Sequence, residues 1–326
     1  MNGKRMIIIG LGSMGKRRIR LLKELYPDNE YIGLDSNEKR ADEVQKQLGI
    51  PVIDSLEALE GNVFAAFVCT SPKSHAHLIT ECLSRGMHVF TEINLIADGY
   101  LINIELARKG NRTLFLSSTQ LYKAEIQYIA DRVKMFSGNM IYSYHVGQYL
   151  PDWHPWDNLK DFFVSSKETN GCRELMAIEF PWLLKTFGKV QKMSVHSRDI
   201  TCLDLSFPDT YVIELFHENG TIGRLLIDIA SRQPVRHFEL MGRDLYILWE
   251  GTPDTLFEHD LVTHQLKQVL VGEYIHNDQY GSFINEAAYM EEIKDFFNVI
   301  RGEQPRYTFQ DDEEILTLID KVEQGI

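Results

Sequence analysis

Short apolar runs alternate with amphipathic stretches over residues 1–121. The apolar runs are typical of strands buried on both faces, and the stretches between them have the spacing of helices that cover a sheet. The predicted strands lie at 5–9, 31–35, around 52, 63–70, 88–92 and 113–117, and the predicted helices at 39–48, 74–85 and 97–109. This alternation predicts an α/β domain with a doubly wound, mostly parallel sheet of the Rossmann type, which binds its ligand at the carboxyl ends of the strands.

The pattern changes after residue 121. Strand-like runs then follow one another with short turns, which indicates an antiparallel sheet. These runs lie at 140–148, 191–198, 210–216, 221–229, 237–241 and 245–249, with helices at 172–187, 286–301 and 312–323. We therefore predict a second, α+β domain over 122–326 with a mostly antiparallel open sheet, and we expect its last helices to pack back toward the domain junction.

The first apolar run leads directly into a glycine-rich turn. Its sequence is Gly10-Leu11-Gly12-Ser13-Met14-Gly15, the pattern G-x-G-x-x-G. In a dinucleotide-binding turn the first glycine permits the tight turn, the second lets the backbone approach the pyrophosphate, and the third lets the helix pack on the strand. The helix that follows would present free N–H groups to the pyrophosphate.

An acidic residue closes the second predicted strand. Asp35 lies twenty residues after Gly15, where a carboxylate can accept hydrogen bonds from the ribose hydroxyls and repel a 2′-phosphate. This favours NAD as the cofactor. NADP stays open, because Ser36, Lys39 and Arg40 follow closely and can instead hold a phosphate.

Charge and cysteine content exclude several classes of partner. The chain has 34 Lys and Arg against 47 Asp and Glu, a net charge of −13, which argues against nucleic acid or an anionic membrane as the main partner. Its four cysteines lack C-x-x-C spacing, so we expect neither a disulfide framework nor a metal site. The first strand begins within five residues of the N-terminus. With no apolar run of membrane-spanning length, this leads us to expect a cytoplasmic protein.

Two further segments carry a resemblance to a known family. They are Thr70-Ser71-Pro72-Lys73-Ser74-His75 and Gly86-Met87-His88-Val89-Phe90-Thr91-Glu92. Together with the glycine turn they resemble the glucose–fructose oxidoreductase, inositol dehydrogenase and rhizopine-catabolism family, Gfo/Idh/MocA, and the tail at 291–305 is similar as well. The resemblance implies that Thr70, Ser71 and His75 lie beside the cofactor ribose and nicotinamide, and Glu92 near the nicotinamide. For His75 a helix-capping or structural role is equally compatible.

The sequence departs from the family at the residues that usually move the proton. Ile93 stands where the family's Glu-Lys-Pro motif has lysine. Ile178 and Pro181 stand where its usual His and Asp lie on a helix of the second domain. Neither Ile nor Pro exchanges a proton, so another residue must do so or the chemistry differs.

A polar and aromatic loop supplies the alternatives. It begins near Gln148 and leads into the helix at 172, and it is rich in groups that recognise sugars. The catalytic candidates are His154 first, then Lys167 and Tyr149, with Glu174 one turn before Ile178 on the same helix and ahead of Glu179. The substrate-binding candidates are Trp153, Trp156 and Arg173. Each has a structural alternative, as a loop-ordering residue or a solvated charge.

Three functions follow from these observations. The first is an NAD(P)-dependent oxidoreductase that transfers a hydride between nicotinamide and a sugar, sugar nucleotide or polyol. The second is a reductase of a C=C or C=N bond, and the third is a dinucleotide-binding sensor or assembly protein without catalysis. An open antiparallel sheet also predicts a homodimer or homotetramer formed through the C-terminal sheet.

Overall fold

A computed structural model of the chain describes residues 3–153, 162–277, 281 and 283–325. Its contacts divide the chain into two compact units. The first comprises Met1–Ser118 and Tyr289–Glu313, and the second comprises Thr119–Ala288 and Glu314–Ile326. The division after Ser118 falls close to the expected boundary after residue 121. Residues 289–313 return to the first unit, however, so the second domain is not the contiguous stretch expected over 122–326.

The first unit is built on a parallel sheet. Within the described residues it has six strands in the order β3-β2-β1-β4-β5-β6, the classical order for dinucleotide-binding sheets. The strands are β1 Arg5–Ile9, β2 Glu30–Leu34, β3 Val52–Ile53, β4 Ala65–Val68, β5 His88–Thr91 and β6 Leu114–Leu116. The helices between them are α1 Ser13–Leu25, α2 Glu38–Leu48, α3 His75–Ser84 and α4 Tyr100–Gly110. The predicted α/β class is confirmed.

The core of this unit explains why its strands lack polar alternation. Met6 to Ile9 of β1 are buried because helices cover both faces of the sheet. Phe67, Phe90 and Phe115 stack along neighbouring strands at 5.0 and 5.2 Å between ring centroids, and Phe296 meets them edge-on. Since β1 pairs with β2 on one side and β4 on the other, the carboxyl ends of β1 and β4 border the crevice where such sheets bind ligands.

The second unit is built on a mostly antiparallel sheet, as predicted. Eight strands in the described residues follow the order β14-β13-β12-β11-β7-β10-β9-β8, and β7 with β10 is a parallel pair. The strands are β7 Ile141–Gly147, β8 Val190–Arg198, β9 Thr210–His217, β10 Ile222–Asp228, β11 Val235–Gly242, β12 Leu245–Trp249, β13 Leu256–Asp260 and β14 Gln265–Gln268. The helices are α5 Ala124–Met135 and α6 Gly171–Phe187, and the chain ends with α7 Glu286–Ile300 and α8 Phe309–Gln324.

One face of this sheet packs against α6 and the other is open. Tyr142 stacks on Phe187 at 4.3 Å, and Tyr144 meets Trp182 edge-on at 5.4 Å. Because side chains alternate along a strand, the neighbours of these residues face away from α6. The open face presents Ile141, Val212 and Met241, which are 46%, 41% and 38% exposed.

Two features are absent from the described residues. No helix there has both the length and the apolar character needed to cross a membrane. No group of three or more His, Cys, Asp or Glu side chains in those ranges is arranged to hold a metal ion.

Candidate active site

The glycine turn has the geometry that close approach to a dinucleotide requires. Gly10 has φ +90°, and a Cβ there would lie 2.8 Å from the Cys69 carbonyl oxygen. A Cβ on Gly15 would lie 1.9 Å from the Gly10 carbonyl oxygen, so no other residue allows α1 to start so close to β1. A Cβ on Gly12, in contrast, would have no atom within 4 Å. Gly12 therefore faces open space at the start of α1.

The start of α1 offers backbone donors. No side chain caps the helix at Gly12, and the first helical hydrogen bond runs from the Lys16 N–H to the Gly12 carbonyl. The N–H groups of Ser13, Met14 and Gly15 precede that bond, and the helix dipole places partial positive charge there. Open space beside unused donors fits the pyrophosphate of a dinucleotide, so these residues would hold it.

Asp35 lies just after β2 and is 8% exposed. Its Oδ2 accepts a 2.8 Å hydrogen bond from the Leu11 N–H, and its Oδ1 accepts one of 2.9 Å from the Asn37 N–H. The Arg40 Nε lies 3.1 Å from Oδ2. The Asp35 carboxylate thus holds the glycine turn through Leu11 and forms an ion pair with the partly exposed Arg40.

The segment after β4 separates into exposed and buried residues. Ser71 is exposed and Thr70 partly so, and the Ser74 hydroxyl donates to Thr70 Oγ1 at 2.7 Å. His75 is 2% exposed, with Nε2 2.9 Å from the Thr70 carbonyl oxygen and Nδ1 2.7 Å from Asn94 Oδ1. Burial lowers its pKa, so the ring is neutral at physiological pH. Both ring nitrogens are occupied within the protein, and His75 holds Thr70 through its carbonyl oxygen. The expected contact of His75 with the cofactor ribose stays a prediction.

Glu92 is held by a buried arginine. Arg18 Nε donates to Glu92 Oε1 at 2.6 Å, and Arg18 Nη2 donates to Oε2 at 3.1 Å. The same Nη2 lies 2.7 Å from Oε2 of Glu292 on α7. Glu292 in turn accepts hydrogen bonds from the Ser117 hydroxyl and the Ser118 N–H. Glu92, the residue after β5, is therefore a member of an internal ion-pair network, with 10% of its side chain exposed.

The polar loop of the second unit is only partly described. His154 and Trp156 lie outside the described residues. The Tyr149 N–H donates to the Ser231 carbonyl at 2.7 Å, and the Trp153 indole N–H donates to the Gln148 carbonyl at 3.1 Å. Lys167 is exposed on a short turn ahead of α6. Tyr149 and Lys167 stay catalytic candidates. The indole N–H of Trp153, in contrast, is already used in a hydrogen bond within the loop.

Arg173, a predicted substrate-binding residue, is paired with two carboxylates of its own chain. Its guanidinium is 2.7 Å from Asp320 Oδ1 and 2.6 Å from Glu323 Oε2, both on α8, and its side chain is 7% exposed. Its N–H donates to the Asn170 side chain, which caps α6. Two carboxylates neutralise this cation, so it joins helices and has no free charge for a ligand.

The two glutamates of α6 have different surroundings. Glu179 is fully buried and bonded to Gln120, Tyr144, Trp182 and Arg236. Glu174 is partly buried, and its Oε2 has no hydrogen-bond partner among the described residues. Burial raises the pKa of Glu174 to about 7. Glu179 is a structural anchor, and Glu174 is a carboxyl group that can exchange a proton near neutral pH.

Sequence reasoning missed two pairs of charged residues. One is the pair of Arg18 and Glu92. Its signal in the sequence is a cation on the buried side of α1, one residue before Ile19. The other is the pair of His145 and Asp228 on neighbouring strands, in which His145 Nε2 lies 2.7 Å from Asp228 Oδ2. The alternation of Tyr142, Tyr144 and Val146 places His145 on the opposite face of β7, a pattern that the sequence contains.

Comparison with known proteins gives a family match over the N-terminal part of the chain. Residues 4–98 match Gfo/Idh/MocA, described as an oxidoreductase family with an NAD-binding Rossmann fold. The matched range contains the glycine turn and both segments that carry the resemblance. The expected NAD-binding fold and oxidoreductase class are confirmed.

The chain resembles three characterised relatives. It is 21% identical over 301 residues to UDP-N-acetylglucosamine 3-dehydrogenase from Acidithiobacillus ferrooxidans, covering 91% of this chain and 89% of that protein. A crystal structure of that enzyme has a TM-score of 0.77 and covers 100% of this chain and 98% of its own. Myo-inositol 2-dehydrogenase from Thermotoga maritima is 29% identical over 136 residues, 40% of each chain. The WlbA dehydrogenase from Bordetella pertussis, in complex with NADH and UDP-GlcNAcA, has 15% identity, a TM-score of 0.74 and coverage of 99% and 95%.

Proposed function

We propose that this chain is an NAD-dependent dehydrogenase acting on a CH–OH group of a sugar, sugar nucleotide or polyol. The observation that carries this proposal is the open cradle at Gly12, with unused N–H groups at the start of α1 and the Asp35 carboxylate beside the turn. The relatives support the substrate class, since their names give UDP-N-acetylglucosamine and myo-inositol as substrates.

The cofactor choice rests on Asp35. Its carboxylate is the acceptor that ribose hydroxyls need, and it repels a 2′-phosphate. Arg40, 3.1 Å away, offsets part of this repulsion. We therefore assign NAD as the preferred dinucleotide, with NADP as the weaker one.

Glu174 is our candidate for the proton. When bound, NAD accepts a hydride at C4 of its nicotinamide. Oxidation of an alcohol carbon must also remove the hydroxyl proton, and a carboxylate with a pKa of about 7 is a suitable base at neutral pH. The orphaned Oε2 of Glu174 is the atom that would take this proton. Tyr149 and Lys167 are the next described candidates.

The open face of the eight-stranded sheet supports an oligomer. Ile141 pairs with Met241 across β7 and β11, and Val212 lies opposite Leu226, so exposed apolar side chains continue over several strands. Burial of such a face against a second copy removes apolar surface from water. We propose a homodimer or homotetramer through this sheet. The cytoplasmic setting stays a prediction.

A turnover panel tests the proposed function. The protein is incubated with NAD or NADP and with UDP-sugars, free sugars and polyols, while the absorbance of reduced nicotinamide is followed. A parallel panel offers NADH with enones and imines. Oxidation of a hydroxyl substrate supports the proposal. NADH binding without turnover of any hydroxyl substrate contradicts it, and reaction confined to the second panel identifies a reductase instead.

A further inference from the structure

An arginine in the second unit is exposed and yet held in place. The Arg232 guanidinium carbon lies 3.6 Å from the centroid of the Tyr149 ring, a stacked arrangement. Arg232 is exposed and has no ion-pair partner among the described residues. A stacked guanidinium keeps its in-plane N–H donors free and loses little further conformational freedom when it binds an anion.

The backbone around this pair is fixed by a dense set of hydrogen bonds. The Tyr149 N–H donates to the Ser231 carbonyl at 2.7 Å, and the Leu150 N–H donates to the Ile229 carbonyl at 3.0 Å. Asp228 accepts hydrogen bonds from the N–H groups of Ala230 and Ser231 at 2.9 and 2.6 Å. The segment that carries Arg232 is therefore not a loose surface loop.

Asp228 also orients a histidine beside this segment. It is 3% exposed, and its Oδ2 lies 2.7 Å from His145 Nε2. Burial by itself raises the pKa of Asp228, but the hydrogen bonds from His145, Ala230 and Ser231 outweigh it and lower the pKa, so the carboxylate stays charged. A Cβ on Gly147 would lie 2.4 Å from the carboxylate, so glycine is needed at that position.

Ser231 connects the histidine to the arginine. Its hydroxyl is 3.5 Å from His145 Nε2 and 3.1 Å from Asp228 Oδ2, and Arg232 follows it in the chain. His145 Nδ1 has no hydrogen-bond partner in the described part of the chain, and 31% of the side chain is exposed. The fixed His145 imidazole and the exposed Arg232 thus both neighbour Ser231, in a chain whose net charge is −13.

We propose that Arg232, stacked on Tyr149 and positioned through Ser231 by the His145–Asp228 pair, forms a subsite that binds an anionic oxygen group of the substrate. This rests on the proposed function and narrows its substrate class to sugars that carry a phosphate or a carboxylate. The planar guanidinium matches the geometry of both groups. A phosphate comes from a nucleotide-linked sugar, and a carboxylate comes from a uronic acid.

Binding measurements on NADH-saturated protein test the subsite, because saturation keeps the probes out of the dinucleotide cradle. The probes are UDP, glucuronate and neutral glucose, each followed by calorimetry. Arg232→Gln is expected to weaken binding of UDP or glucuronate at least tenfold, with no effect on glucose. Tyr149→Leu, which removes the stacking ring, is expected to weaken it about two- to fivefold. Loss for UDP alone identifies the phosphate source, and loss for glucuronate alone identifies the carboxylate source.

The matched control is Arg243→Gln, which removes an exposed arginine from the turn between β11 and β12. Unchanged affinity for both anions in Arg232→Gln, or an equal loss in Arg243→Gln, overturns the subsite. The two proposals fail differently. If the enzyme is active and Arg232→Gln leaves its KM unchanged, only the subsite proposal is contradicted. If UDP binding depends on Arg232 but no sugar is turned over, the dehydrogenase proposal is contradicted and the subsite proposal is retained.

Discussion

Arg18, whose side chain is fully buried, donates hydrogen bonds to both carboxylate oxygens of Glu92, at 2.6 and 3.1 Å. The guanidinium also lies 4.5 Å from the Phe90 ring centroid and bonds to Glu292. Burial raises the pKa of Glu292, although Arg18 opposes that shift. One cation therefore compensates two buried carboxyl groups at the carboxyl edge of the parallel sheet.

Replacing Arg18 tests how much this network contributes to stability. Arg18→Met keeps the length of the side chain and leaves two buried carboxyl groups without their common partner. We expect a loss of about 3–5 kcal/mol in the free energy of unfolding, measured by denaturant titration. Arg108→Met, at an exposed site on α4, is the control and is expected to change the midpoint far less. Equal losses in the two variants would show that the buried network is not special.

Replacing Arg173 tests its ion pairs and its expected substrate-binding role together. Arg173→Met breaks the pairs with Asp320 and Glu323 and is expected to cost about 3 kcal/mol of unfolding free energy. The KM of the folded fraction is expected to stay within twofold of wild type, roughly the scatter that a remote change of about 0.4 kcal/mol produces. A large rise in KM with unchanged stability would restore the substrate-binding role.

Glu174 connects stability with pH. Its pKa of about 7 lies above the ordinary value of 4.5, so between these pH values the folded chain keeps a proton that the unfolded chain has lost. This group therefore costs stability progressively as pH rises through that window, up to about 3 kcal/mol above it. Glu174→Gln does not titrate, and its stability relative to wild type is expected to rise with pH, as measured by unfolding at several pH values.

The same variant separates a catalytic carboxyl from a merely buried one. If Glu174 accepts the hydroxyl proton, Glu174→Gln lowers kcat about 100-fold or more while it stabilises the fold. Glu218→Gln, on an exposed turn, is the control and changes neither quantity. A stabilised Glu174→Gln variant with wild-type kcat would leave His154, Tyr149 or Lys167 as the proton acceptor.

Asp35 determines the preferred dinucleotide in this account. Asp35→Asn keeps an oxygen for the Leu11 N–H, removes the negative charge and leaves Arg40 unpaired. The preference for NAD over NADP, measured as the ratio of Kd values, is expected to fall about tenfold. An unchanged ratio would mean that Asp35 only supports the turn.

The parts of this molecule that sequence predicts well are those whose cause is local. Gly10, Gly12, Gly15 and Asp35 act through the turn and strand in which they stand, so spacing alone predicts the close approach at the turn. The pairing of Arg173 could not be predicted, because its partner Glu323 lies 150 residues away along the chain. A cation at a helix start looks free until tertiary structure brings a carboxylate to it.

The same limit applies to the groups that sequence reasoning missed. His145 and Asp228 are 83 residues apart, and Arg18 and Glu92 are 74 apart. Their pairing depends on strand order, which periodicity does not give. Ile93, Ile178 and Pro181 did give a useful negative result, because none of them can exchange a proton. They directed attention to His154 first, then to Lys167, Tyr149 and Glu174.

The proposed dinucleotide site depends on the open space at Gly12, and the NADH affinity of Gly12→Ala tests this site most directly. A methyl group there meets no atom of the protein, so the melting temperature should match that of wild type and of the control Gly110→Ala. We expect at least tenfold weaker NADH binding by fluorescence titration in Gly12→Ala, because the methyl group would fill the space that the pyrophosphate needs. Wild-type affinity in a folded Gly12→Ala variant would contradict it.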